Sequence, residues 1–283
     1  MPRSADLALT ALAPAIWGST YIVTTQLLPP DHPLWVALVR ALPAGLLLLL
    51  IVRHLPRGIW WGRVFILGAL NFSIFWALLF VSAYRLPGGV AATVGAIQPL
   101  IVIGLERLFF KAPVRGLSIL VGLIGITGVA LLVLTPNAVL DPIGVAAGLG
   151  GALSMAAGTV FSRYWRPPVS ALTFTAWQLT AGGLLLVPLA LLFEPTLPLP
   201  TGRNLLGFAY LGLVGAALTY LLWFRGLARL KPSIVAPLGF LSPLMAVLLG
   251  WSLLGQALTP AQLAGVAVVL GSVWLNQRLS VKN

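Results

Sequence analysis

LGALNFSIFWALLFVSAYRL, Leu67–Leu86, is an apolar stretch of bilayer-crossing length that opens on Leu-Gly and closes on Arg-Leu. A shift of 144 residues lays it over LGLVGAALTYLLWFRGLARL, Leu211–Leu230, which opens and closes the same way. The register continues into the next stretch, where Gly95, Pro99 and Leu100 fall on Gly239, Pro243 and Leu244. Ten of the 34 positions from Leu67 to Leu100 are identical. Leucine matches come free in an apolar chain; paired Leu-Gly, Arg-Leu and Pro-Leu steps do not. With a slightly different offset, AGLLLLL from Ala44 lies over GGLLLVP from Gly182. The chain reads as one membrane unit used twice.

Composition agrees. Of the 283 residues, 59% are apolar and 8% charged, and mean hydropathy is +1.03. Soluble domains carry about 25% charged residues, so lipid is the main solvent here. A helix needs about 20 apolar residues to cross the hydrocarbon core. Ten stretches qualify: 7–28, 34–52, 63–84, 88–108, 116–134, 143–164, 170–192, 204–224, 233–253 and 260–277. The fold expected is an all-α polytopic membrane protein of ten transmembrane helices. Residues 1–137 form the first five-helix repeat and 138–283 the second. Five is odd, so the halves insert with opposite orientation, an inverted repeat that places a solute site near the midplane. The first stretch is too long for a signal peptide, and the repeat needs it.

Basic residues mark cytoplasmic loops. With the amino terminus inside, Arg3, the Arg53–Arg63 group, Arg107–Arg115, Arg163, Arg166, Arg225–Lys231, Arg278 and Lys282 share one side, leaving Arg85 and Arg203 outside. Both termini are therefore expected in the cytoplasm. The net charge of +12 is scattered between spans and forms no basic run. This points to anionic headgroups rather than nucleic acid.

Several residues are ones a lipid-facing helix would not choose. Trp17, Thr20, Tyr21 and Thr24 share one helix face, Ala11, Ala15 and Ser19 form a small-residue stripe, and Pro14 predicts a kink. The aromatic–hydroxyl face lines a cavity or packs on a neighbouring helix. Trp17, Trp76 and Trp177 fall towards span centres, where a ring can stack on a solute. Trp35, Trp60, Trp61 and Trp165 fit an interfacial belt, and Trp223, near a span end, reads as structural. Tyr220 lies deep enough to touch a cavity. Asn71, Gln98 and Gln178 carry amides that cost free energy in hydrocarbon unless bonded; they pair between helices or orient a solute. Arg40 is the basic residue clearly inside a span. It attracts a solute carboxylate, bonds to carbonyls or snorkels outward. Gly122, Gly125 and Gly128 give α-helical close-packing spacing.

The chemistry that is missing excludes enzyme classes. Asp6, Asp31, Glu106, Asp141 and Glu194 all avoid the span centres, and His32 and His54 lie in loops. No buried base, metal-ligand cluster or phosphate-binding glycine loop is legible. There is no cysteine, and no cofactor or metal is expected.

WGSTYIVTTQLLPPDHPLWVALVRALPAGLLLL resembles the first two helices of the EamA-type drug/metabolite transporter superfamily. The resemblance rests on Trp17-Gly18-Ser19, on Arg40, and on Pro99 and Pro243 in the fourth and ninth spans, and it covers almost the whole chain. The family often ends those two spans with Gly-Glu; here the acidic position reads Ala112 (beside Lys111) and Gln256. Within the superfamily the wording is similar to the bacterial aromatic amino-acid exporters. That implies export of aromatic and other apolar amino acids from a central cavity across the bacterial inner membrane. The expected substrate-binding set is Trp17, Ser19, Thr20, Tyr21, Arg40, Asn71, Trp76, Gln98, Trp177, Gln178 and Tyr220, acting without catalysis, and a monomer suffices. Without a buried carboxylate, movement down the solute's own gradient is expected. Export of other metabolites or lipophilic cations, and a channel for small neutral solutes, stand as rivals.

Overall fold

The computed structural model of the protein describes residues 3–86, 88–133 and 141–281. Among these, nine helices are long and apolar enough to cross a membrane. They are α1 (Arg3–Leu27), α2 (Pro33–Val52), α3 (Trp60–Ser82), α4 (Ala91–Phe110), α5 (Gly116–Val133), α6 (Pro142–Tyr164), α7 (Ala171–Phe193), α8 (Gly202–Arg229) and α9 (Pro232–Leu254). A further helix, α10 (Pro260–Val281), is interrupted in its hydropathy by Gln262, Asn276 and Gln277 and is not among the nine. Among the described residues there is no strand. The chain is an all-α polytopic membrane protein. The expected division between residues 137 and 138 lies outside the described residues.

Helix ends follow local chemistry. Asp141 accepts a hydrogen bond from the Gly144 N–H at the start of α6, and Thr201 and Asn204 cap α8 reciprocally. Pro33 opens α2, where its missing N–H is no loss. The free N–H groups of Leu34 and Trp35 are taken by the Glu194 carboxylate, 2.6 and 3.0 Å away, just beyond the end of α7. A carboxylate there also complements the helix dipole. Pro14 and Pro43 sit inside helices that continue past them. Pro99, by contrast, begins the second segment of α4, after the helix breaks at residues 96–97.

In lipid, helices gain little from hiding apolar surface and associate instead through close packing of small residues. The contacts bear this out: α2 lies along α7, α5 along α10, α3 along α6 and α1 along α8. A Cβ on Gly45 would stand 2.5 Å from the Thr180 nitrogen of α7, and one on Gly183 would stand 2.7 Å from Leu42 Cα of α2. Along the α5 stripe, Gly122 faces Leu100, Gly125 lies under the Phe240 ring and Gly128 meets Val269 of α10. Outward positions such as Leu50, Ile51, Leu192 and Phe193 are exposed, as lipid-facing leucine and phenylalanine should be.

Besides the break in α4, segments of three helices leave the α-helical ladder, one of them the 3-10 turn Ala236–Phe240 in α9. Ala69–Ser73 in α3 and Tyr210–Leu218 in α8 are π-helical. Residues separated by 144 also end their helices alike. Leu86 and Leu230 are extended. Lys111 and Gly255 both adopt the left-handed conformation, and the following N–H groups, of Ala112 and Gln256, reach back to Glu106 and Gly250. Such an end favours glycine; Gly255 supplies it and Lys111 does not.

Candidate functional site

A cavity of about 380 Å³ is enclosed by α1, α2, α3, α4, α6, α8 and α9, within the ~300–1,000 Å³ usual for small-molecule sites. It runs from Trp17, midway along α1, to Thr24, Thr25 and Pro33 near the α1–α2 connection. Phe75, Trp76 and Phe80 of α3 form one wall; beside it, Gly148 and Gly151 of α6 pack against α3 and α4. Trp17, Tyr220 and Trp223 close the deep end. Beyond them the Thr10 side chain lies against Gly226. Further still, the Asp6 carboxylate pairs with Arg225 at 2.7 Å and Arg229 at 3.3 Å. Between the cavity and the start of α1 thus lie rings, a close helix contact and ion pairs.

The aromatic surface is built by contact between rings. Trp17 lies 4.9 Å from Tyr220 and 5.2 Å from Trp223 between ring centroids. Tyr220 is 4.5 Å from Phe72, which meets Trp76 edge-on at 5.3 Å. The Arg40 guanidinium stands 5.2 Å from the Trp76 ring centre, a cation–π distance.

The π-helical turn of α8 holds the polar part. Its Gly215 carbonyl accepts from Arg40 Nη2 at 2.6 Å and from the Thr219 hydroxyl at 2.8 Å. Thr219 in turn accepts the Trp17 indole N–H at 2.9 Å. A π turn loosens the backbone ladder, so its carbonyl is available to a side chain. One short network thus sets both the cation and the principal ring. Arg40 neither snorkels nor pairs with a carboxylate: it is 8% exposed and bonds to a carbonyl.

Of the residues singled out from sequence, Trp17, Thr20, Tyr21, Arg40, Trp76, Gln98 and Tyr220 are brought together around this cavity. Four others lie elsewhere. The Ser19 hydroxyl bonds to the Ile16 carbonyl and to the Tyr210 hydroxyl. Asn71 and Gln178 are fully buried, and the Asn71 amide donates to Gln178 Oε1 at 2.8 Å, so they join α3 to α7. Trp177 donates to the His54 carbonyl at 2.6 Å and stacks on the His54 ring. It is only the seventh residue of α7, nearer the helix start than the span's centre.

Trp223, Phe75, Phe80 and Phe240 line the cavity without having been singled out for it. For Trp223 the signal was available: it follows Tyr220 by three residues and so shares its face. No group of three or more potential metal ligands occurs among the described residues.

The Asn71–Gln178 pair gives a structural test. Gln178→Leu leaves a buried amide without its acceptor, a loss of about 1 kcal/mol by analogy with interhelical polar contacts in bilayers. Thermal unfolding of the variant in detergent is expected a few degrees below wild type, with solute affinity retained. A large loss of affinity at unchanged stability would place the pair in the site instead.

A chain of apolar helices around a solute-sized aromatic cavity belongs to the class of membrane transporters. Its sequence matches the EamA-like transporter family at residues 5–134 and again at 142–277. The chain belongs to that family. It is 47% identical to Protein PecM of Dickeya dadantii (strain 3937) over 95% of this chain and 91% of PecM. It is 29% identical to the uncharacterized inner membrane transporter YedA of Escherichia coli (strain K12), over 92% of this chain and 86% of YedA. A solved crystal structure shares the fold, with TM-score 0.84 over 98% of this chain and 99% of the other at 19% identity. The protein is a multi-pass membrane transporter and not an enzyme.

Proposed function

We propose that the protein exports aromatic and other apolar amino acids through this cavity by alternating access, as a facilitator driven by the solute's own gradient. The observation that carries the reading is the cavity itself: a solute-sized space walled by Trp17, Trp76, Tyr220 and Trp223. Stacked and edge-on rings are what such a wall offers an aromatic solute. The small-residue contacts between helices suit bundles that rock against each other.

The architecture proposed is ten spans in two inverted repeats, with both termini cytoplasmic in the bacterial inner membrane. Its support is the 144-residue equivalence of the helix ends and π-helical turns, the double family match, and the basic residues gathered on one side. In that orientation the Asp6 ion pairs lie towards the cytoplasm. Among the described residues no Asp or Glu lines the cavity, which favours uncoupled transport over proton exchange.

The test is uptake of labelled Phe, Trp, Leu and Lys into liposomes holding purified protein. Saturable Phe and Trp uptake, unaffected by a pH gradient and accelerated by preloaded substrate, is the expected result. Unsaturable flux would make the protein a channel. No uptake of any amino acid by folded, inserted protein would remove this solute class.

A further inference from the structure

The polar groups around the cavity are unbalanced in a way that bears on the charge of its occupant. Among the described residues Arg40 is the charged one in the lining, with neither Asp nor Glu beside it. Its Nη2 is committed to the Gly215 carbonyl, while its Nε has no partner. Two further lining side chains carry N–H groups without a partner, Gln98 Nε2 and Trp223 Nε1, and the Thr20 hydroxyl is also unmatched. A guanidinium Nε–H, an amide N–H and an indole N–H can only donate, and a hydroxyl can do so. The side chains that line the cavity therefore carry a surplus of donors, buried in this conformation, around one uncompensated cation set among aromatic faces.

Buried donors and charges are costly until they meet acceptors, and a carboxylate supplies two oxygens and the missing charge. An ammonium group gains nothing comparable, because the lining offers it no carboxylate. We infer that the cavity selects planar aromatic carboxylates, with Arg40 as the specificity-determining residue, and that a single negative charge is favoured over a zwitterion and a zwitterion over a cation. This rests on the reading of the cavity as the solute site. It sharpens that reading, since an aromatic amino acid satisfies Arg40 with its carboxylate yet brings an ammonium for which no counter-charge waits.

Three probes with one phenyl ring separate the possibilities: 3-phenylpropanoate, phenylalanine and 2-phenylethylamine, an anion, a zwitterion and a cation at pH 7. Binding to the purified full chain in nanodiscs, read from tryptophan fluorescence, avoids the leak of small acids and amines through a bilayer. On wild type the affinities are expected to fall in that order. Arg40→Gln should weaken 3-phenylpropanoate about tenfold or more, the scale of one hydrogen bond to a charged group, while leaving 2-phenylethylamine unchanged or tighter. Arg40→Lys keeps the charge without the planar fork and should fall between.

The wild-type order stands by itself should Arg40→Gln fail to fold. Phenylalanine or the amine binding as tightly as 3-phenylpropanoate would overturn the inference while leaving aromatic transport in place. Binding of none of the three to folded protein would remove the aromatic solute itself, and the inference with it.

Discussion

Gly45→Val is expected to destabilise the folded state severely. A Cβ at position 45 meets the Thr180 nitrogen at 2.5 Å and the Leu179 carbonyl carbon at 2.8 Å. These are backbone atoms of α7 that no rotamer change can move. Relief requires α2 and α7 to part, and that contact is among the most extensive in the molecule. Ala41, Ala44 and Leu48 on one side and Leu179, Ala181 and Leu186 on the other belong to the same buried core. Overpacking usually costs about 1–3 kcal/mol and occasionally more; with backbone on both sides, the upper end or beyond is expected.

The measurement is the monodisperse fraction and the unfolding temperature after purification in mild detergent. Gly104→Val is the control, because a Cβ there meets nothing within 4 Å; it should purify and melt like wild type. Wild-type behaviour of Gly45→Val would mean that α2 and α7 are further apart than described.

Trp17→Ala is expected to cause the largest loss of solute binding. The ring touches Tyr220 and Trp223, and its N–H holds Thr219, the residue that shares the Gly215 carbonyl with Arg40. Each aromatic pair contributes about 0.5–1.5 kcal/mol beyond the area it buries. Loss of a stacking partner for the solute together with collapse of the two neighbouring rings should weaken an aromatic solute by roughly thirtyfold, about 2 kcal/mol. Trp17→Phe keeps a ring and loses only the N–H, so about threefold is expected, near the lower end for one hydrogen bond. The readout is KM against kcat for Phe and Trp uptake, with Leu as the non-aromatic comparison. A uniform drop for all three solutes would point to a damaged helix rather than a lost stacking surface. Unchanged KM would show that the ring does not face the solute.

The two variants probe different levels of what could be read in advance. The alignment of AGLLLLL with GGLLLVP was read as part of the internal repeat; that α2 and α7 lie against each other through Gly45 and Gly183 is seen only in the structure. Trp17, Thr20 and Tyr21 line the cavity together, as their i, i+3, i+4 spacing suggested. Trp76 lines it too, whereas Asn71, five residues earlier, is turned towards Gln178 of α7. Asn71 itself lies inside the π-helical turn Ala69–Ser73, and Trp76 follows it. At about 100° per residue, positions five apart stand about 140° apart on a regular helix, so the amide and the ring face different neighbours. The same distortion in α8 offers the Gly215 carbonyl to Arg40. For that reason Arg40 had three open readings from sequence and one bond in the structure.

Family membership, the helical class and the membrane environment were all settled by the order of residues alone. Hydropathy over about 20 residues, the spacing of basic loops and a self-match at 144 residues are local or additive properties of a chain. Hydrocarbon thickness converts them into spans with little reference to neighbours. Which side chains share the cavity was decided only by tertiary structure. That depends on the azimuth of each helix, on π turns that shift it partway along, and on glycines that let backbones meet. Whether a buried amide found its partner 107 residues away, as Asn71 did in Gln178, is a property of the packed bundle, where every polar group in hydrocarbon competes for the few partners within reach.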